Sequence, residues 1–126
     1  MKVLQVIDQG FRTTVEEQDD TILWLTQSMH GAGGDLMLLL SGHGVHYAVL
    51  SHRQPPLAVA DWQQHQPAEL PRDLANMVEG GIPVYAVQED LDERGLGQLP
   101  LQNGIQAIAR GALPALYEQA DQIWHW

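Results

Sequence analysis

The sequence predicts an α/β fold: an open, mainly parallel five-stranded sheet with helices on both faces. Three observations carry that expectation. Short runs rich in aliphatic and β-branched residues alternate with longer segments of helical spacing, and no repeat or low-complexity tract interrupts them. Two of the runs, Asp35 to Leu40 (DLMLLL) and Ile82 to Val87 (IPVYAV), are almost continuously apolar. Such runs mark strands buried on both faces, hence a parallel sheet under crossover helices. Finally, 126 residues, 44% of them apolar, are enough for one domain, 1–126, and little more.

The elements follow in order. Lys2 to Ile7 (KVLQVI) is a strand ended by the turn-like Asp8-Gln9-Gly10. Thr14-Val15-Glu16-Glu17 has the form of a capping box, in which Thr14 caps a helix and Glu17 reaches back to it. That helix carries Ile22, Leu25 and Met29 at helical spacing and stops at Gly31 to Gly34. After the strand Asp35 to Leu40, Ser41-Gly42-His43-Gly44 turns the chain into a short helix, Val45 to Leu50. Ser51 to Leu70 is polar, contains Pro55, Pro56 and Pro67, and holds a lone Trp62. At about 20 residues it is long for a loop and reads as a lid, an interface or local disorder.

Pro71 sits near the start of a helix through Met77, closed by Gly80-Gly81. Ile82 to Val87 is the third strand, with Pro83 at one of its tolerated first positions. Glu89 to Arg94 reads as a short helix, acidic in its first turn and basic in its last, with Gly95 as its cap. Ile105 to Ala109 is the fourth strand, Pro114 opens a further helix, and Gln122 to Trp126 is the fifth strand.

Composition excludes several functions. Six Lys and Arg against 16 Asp and Glu leave a net charge of −10, which argues against nucleic acid or an anionic membrane as the main partner. The chain has no cysteine, so disulfides, thiolate metal sites, cysteine nucleophiles and persulfide carriage are excluded for it. The longest apolar stretch, Leu36 to Leu40, is far short of the ~20 residues that span a bilayer. The N-terminal residues turn polar too soon for a signal peptide, and a cytoplasmic location is expected.

Open α/β sheets bind ligands at the C-terminal ends of their strands, here Asp8 to Phe11, Ser41 to His43 and Val87 to Asp90. Two histidines three apart, His43 and His46, can share a metal on one helical turn, and His52 is near in sequence. No cysteine or paired carboxylate completes a ligand set, so no metal is expected; His43 lining a pocket ranks above it, and an ordinary surface or core role above both. Gly42-x-Gly44 after a strand has the form of a phosphate cradle, yet lacks a third glycine or a P-loop lysine. Glu89, Asp90, Asp92 and Glu93 contain enough carboxylates for an acid–base pair, although such a cluster is usually a solvated helix start. Trp124 and Trp126 fall on one face of the last strand and finish either the core or an interface.

The segment Val84-Tyr85-Ala86-Val87-Gln88-Glu89-Asp90-Leu91-Asp92-Glu93-Arg94-Gly95-Leu96 resembles the strand–helix signature of the DsrH/TusB branch of the DsrE/DsrF/DsrH superfamily. The apolar strand before Gly42-His43-Gly44-Val45 is similar to that branch's strand and Asp-Gly-Val turn, with His43 in place of Asp, and a terminal Trp also matches. The resemblance covers most of the chain and is specific over residues 84–96; the N-terminal strand and helix are more like a DsrE layout.

It implies a small subunit of a three-layer sandwich fold that assembles as a trimer or hexamer, alone or with DsrE/TusD-like and DsrF/TusC-like subunits. In such complexes the DsrE or TusD type carries a persulfide on a cysteine at the end of the third strand, towards tRNA thiolation or sulfur oxidation. Val87-Gln88 stands at that place here, which agrees with a non-carrier.

The leading expectation is therefore a structural or partner-docking subunit in sulfur relay, with no catalysis of its own and no cofactor. The competing one is a small-molecule or anion-binding module whose pocket draws on Gly42, His43, Gln88, Glu89, Asp90 and Arg94. An enzyme with His43 as general base ranks below both. Trp62, Trp124 and Trp126 are the interface candidates.

Overall fold

Strand β1 (Lys2–Ile7) and strand β2 (Asp35–Leu40) lie side by side in parallel along their whole length, from Lys2 opposite Asp35 to Ile7 opposite Leu40. Five of the six residues in each are buried, as expected for central strands of a parallel sheet. The computed structural model describes residues 1–10, 20–53, 55–67 and 69–126. The capping box expected at Thr14 to Glu17 lies outside the described residues. Helix α1 (Thr21–Gly31) is capped instead by Asp20, whose carboxylate accepts from the Ile22 and Leu23 amides.

Beyond β2 the chain enters a 3-10 helix, Gly42–Ala48, three residues earlier than expected and tighter than an α-helix. The long polar stretch is not a bare loop. It contains a hairpin of β3 (Ala58–Val59) and β4 (Trp62–Gln63). Helix α2 (Leu70–Glu79) follows, with Pro71 in its first turn. Strand β5 (Val84–Val87) starts after Pro83, whose carbonyl accepts from the Leu38 amide, so the proline sits where no ladder N–H is needed. Helix α3 (Gln88–Glu93), strand β6 (Ile105–Ile108), a 3-10 turn at Arg110–Ala112, helix α4 (Leu113–Glu118) and strand β7 (Gln122–His125) complete the chain.

The main sheet runs β6-β5-β2-β1-β7 and every pairing in it is parallel. All five strand ends therefore open on one edge. One face carries Val3, Ile7, Leu36, Leu38, Leu40, Val84 and Ala86, packed by Ile22 and Leu23 of α1 and Leu70, Leu74 and Met77 of α2. The opposite face, with Leu4, Val6, Met37, Leu39 and Val87, is covered by Leu116 of α4. Each such side chain contributes roughly 1.5–3 kcal/mol when fully buried. The three-layer expectation is met.

One polar residue breaks the apolar pattern of β1. Gln5 is wholly buried, and its Oε1 accepts from the Trp126 indole at 2.7 Å while its Nε2 faces Met29 Sδ at 3.9 Å. A buried amide is tolerated only when bonded, so Gln5 fixes the position of Trp126. A second buried polar set joins Asp20 to the Tyr47 hydroxyl (3.0 Å), and the Tyr47 carbonyl accepts from Gln102 (2.8 Å). No helix among the described residues is long and apolar enough to cross a membrane.

Candidate functional site

At the strand-end edge the turn after β2 is held from two sides. Towards β1, the Ser41 amide donates to the Ile7 carbonyl and the His43 amide to the Asp8 carbonyl, both at 3.0 Å, and Ser41 Oγ donates to Asp8 Oδ1 at 3.0 Å. Gly42 takes a left-handed φ of 50°, and a Cβ there would run into the Asp8 carboxylate. Only glycine meets both demands without strain. Towards β5, the Gly42 amide donates to Asp90 Oδ2 at 2.8 Å.

Asp90 is the hub of this edge. Its side chain is 14% exposed, and its other oxygen, Oδ1, accepts from Arg110 Nη2 at 2.6 Å. Arg110 stands just beyond β6, so one carboxylate ties the ends of β2, β5 and β6 together. Glu89 accepts the Arg110 backbone N–H on both oxygens, at 2.9 and 3.0 Å. Glu93 lies 3.5 Å from the same guanidinium. The Asp90 hydrogen bond leads in holding the Arg110 pKa above its ordinary value. Gln88 bonds within its own helix, its Nε2 to Asp92 Oδ1 at 2.9 Å. Arg94 donates to the Asp90 carbonyl at 3.1 Å.

The sequence-derived candidates thus divide. Gly42, Asp90 and Arg94 come together; Glu89 and Gln88 sit beside them but point elsewhere. Among the three residues Gln88, Glu89 and Asp90, it is Asp90 that crosses to Gly42. The phosphate-cradle reading is also revised, because the Gly42 amide is occupied by the chain's own carboxylate. Of the four carboxylates weighed as an acid–base pair or a solvated helix start, Glu89, Asp90 and Glu93 lie on Arg110, and Asp92 accepts from Gln88. Sequence reasoning passed over Arg110, although it is the one cation after Arg94 and follows a strand end.

His43 is exposed and its ring stacks near His46, with centroids 6.5 Å apart and planes 21° from parallel. Burial, the Arg94 charge and His43, in that order, hold His46 below the ordinary histidine pKa. Burial leads again at His52, followed by His46 and Arg53. Among the described residues no group of three or more His, Asp or Glu is placed to hold a metal ion.

Of the three tryptophans named as interface candidates, Trp124 packs on the larger apolar cluster and Trp126 bonds Gln5, so both lie on the same side of β7, as alternation predicts. Trp62 stands apart from them, on the β3–β4 hairpin.

No protein-family model matches the chain, and no curated protein is significantly similar to it in sequence. Solved structures do match. The YchN protein of E. coli superposes with a TM-score of 0.75 at 18% identity, over 99% of this chain and 98% of its own. MTH1491 of Methanobacterium thermoautotrophicum, described as a protein of unknown function, does so with a TM-score of 0.64 at 14% identity, over 98% and 97%. Both have the DsrE/DsrF/DsrH-like architecture. The fold of this chain is DsrE/DsrF/DsrH-like. At these identities the likeness establishes the fold alone. Within that DsrE/DsrF/DsrH-like fold, the strand-end edge is the place described above, closed here by Asp90 and Arg110 and free of cysteine.

Proposed function

We propose that this chain is a non-carrier subunit of a DsrE/DsrF/DsrH-type assembly, with a structural or partner-docking role in sulfur relay. The observation that carries the reading is the chemistry at the end of β5. The resemblance puts a carrier's cysteine there; this chain has Val87 and Gln88, followed by an Asp90 that is spent on the Gly42 amide and Arg110. A transfer site needs a nucleophile with room to react. This edge supplies acceptors and donors already bonded to one another, which stiffens three strand ends into a fixed surface.

The anion-binding alternative loses one of its candidate donors, because the Gly42 amide is already bonded to Asp90. In the subunit reading the acidic helix α3 presents Asp92 and Glu93 outward, both exposed, as contacts for a partner.

The experiment is co-purification with a cysteine-bearing DsrE-type subunit from the same genome, followed by native mass spectrometry after loading with persulfide. A joint complex, with added sulfur on the partner alone, is expected. A chain that stays at 14.0 kDa in the presence of that subunit overturns the docking role.

A further inference from the structure

The β3–β4 hairpin is built unlike the rest of the molecule. Neither of its strands packs extensively on any element but the other. The pairing sets Val59 opposite Trp62 and Ala58 opposite Gln63, and the Gln64 amide extends it by donating to the Leu57 carbonyl at 2.7 Å. Side chains alternate across a ribbon, so Leu57, Val59 and Trp62 share one face. All three are exposed, at 43%, 62% and 43%. They make up three of the nine large apolar side chains exposed among the described residues. Clustered exposed apolar side chains of this kind mark interaction surfaces, whereas single ones do not.

A two-stranded ribbon is marginally stable by itself and gains most from a further layer packed on its apolar face. The charge pattern says which layer fits. The whole chain carries −10, yet residues 51–67 hold one Arg, Arg53, and one Asp, Asp61, and are formally neutral. A second copy of so acidic a chain is repelled wherever carboxylates face carboxylates. It is met without that cost at a neutral apolar surface. A basic partner would be drawn to the acidic remainder of the molecule instead.

We propose that the face formed by Leu57, Val59 and Trp62 packs against the same face of a second copy across a twofold axis. Such a contact is self-complementary, since each residue meets its own counterpart or its neighbour's. Trp62 is the anchor, because aromatic side chains carry a disproportionate share of interface energy. The inference rests on reading the chain as an assembling subunit and names the element through which it meets itself.

The test is sedimentation velocity of the chain alone over a range of concentrations, for wild type, Val59→Lys and Trp62→Ala. Wild type is expected to self-associate, and both variants to raise the dissociation constant at least tenfold with an unchanged far-ultraviolet circular dichroism spectrum. A second readout uses the absence of native cysteine. Val59→Cys is expected to form a covalent dimer under mild oxidation at least tenfold faster than Trp24→Cys, a control of similar exposure on α1. It serves also if a lysine at position 59 disturbs folding.

Wild type that remains a monomer throughout, or self-association unaltered in Val59→Lys and Trp62→Ala, overturns the proposal. So does loss of binding to the cysteine-bearing subunit with self-association intact, which would assign the hairpin to that partner. Self-association lost in the variants while the wild type ignores that subunit upholds the hairpin contact and overturns the relay reading instead.

Discussion

Asp90 faces two donors of different kinds, a half-buried backbone amide through Oδ2 and a guanidinium through Oδ1. The amide bond is the more costly to lose, because an unsatisfied N–H away from water forfeits its full hydration. Asp90→Ala is therefore expected to destabilise the fold by about 1–3 kcal/mol, and Asp90→Asn, which keeps an acceptor for Gly42, by less. Urea midpoints in the order wild type, Asn, Ala check this; an Ala variant as stable as wild type would show that water replaces the carboxylate. The histidines add a pH dependence of known sign. His46 and His52 are held below the ordinary value of 6.5, so the unfolded chain binds more protons than the folded one once pH falls to that value. The stability they contribute is present above 6.5 and is lost as pH falls from there through their lower folded values. Urea midpoints measured above and below that window are expected to fall on acidification, and to fall less in His46→Gln combined with His52→Gln. An equal fall in both proteins would assign the whole effect to carboxylates.

Among the elements, α1 depends on a cap that the sequence pattern does not single out. Asp20 bonds the Ile22 and Leu23 amides and is itself bonded by the Tyr47 hydroxyl, and both residues are fully buried. Asp20→Ala is expected to cost about 1–2 kcal/mol for the cap, and more through the stranded hydroxyl. Tyr47→Phe leaves the cap intact and is expected to cost less. Thermal melts that reverse this order would place the stabilisation in the tyrosine. Asp20 was not legible because the link to Tyr47 spans 27 residues and no local pattern records it.

The strands were legible for the opposite reason. Runs such as Asp35 to Leu40 declare burial on both faces within six residues. The β3–β4 hairpin escaped notice because its strands are two residues long and all four residues are exposed, so no alternation against a core exists to be read. At the candidate edge, Gly42 and Asp90 could be marked as turn residues. That Asp90 would reach Gly42 and Arg110 depends on β5 lying between β2 and β6, a choice of neighbours made by the whole fold.

For the molecule as a whole, a charge of −10 makes association with its own kind a contest between apolar contact and repulsion. Repulsion between exposed charges acts over the Debye length, ~30 Å at 0.01 M salt and ~10 Å at 0.1 M. Within the longer range most carboxylates of two copies feel one another whichever surfaces touch; within the shorter, only those near the contact do. The proposed hairpin contact holds two carboxylates, Asp61 from each copy, each on a segment that also carries Arg53. Raising salt therefore removes most of the opposing force and little of the attraction, which is apolar and not screened. Self-association is expected to strengthen between about 0.01 M and 0.1 M salt, seen as a shift to larger species in sedimentation velocity at fixed protein concentration. Binding to a basic partner through the acidic surface has the opposite sign, because screening then weakens the force that holds the pair. A self-association that weakens over this range would mean that charge attraction maintains it, and the neutral hairpin would not be its seat.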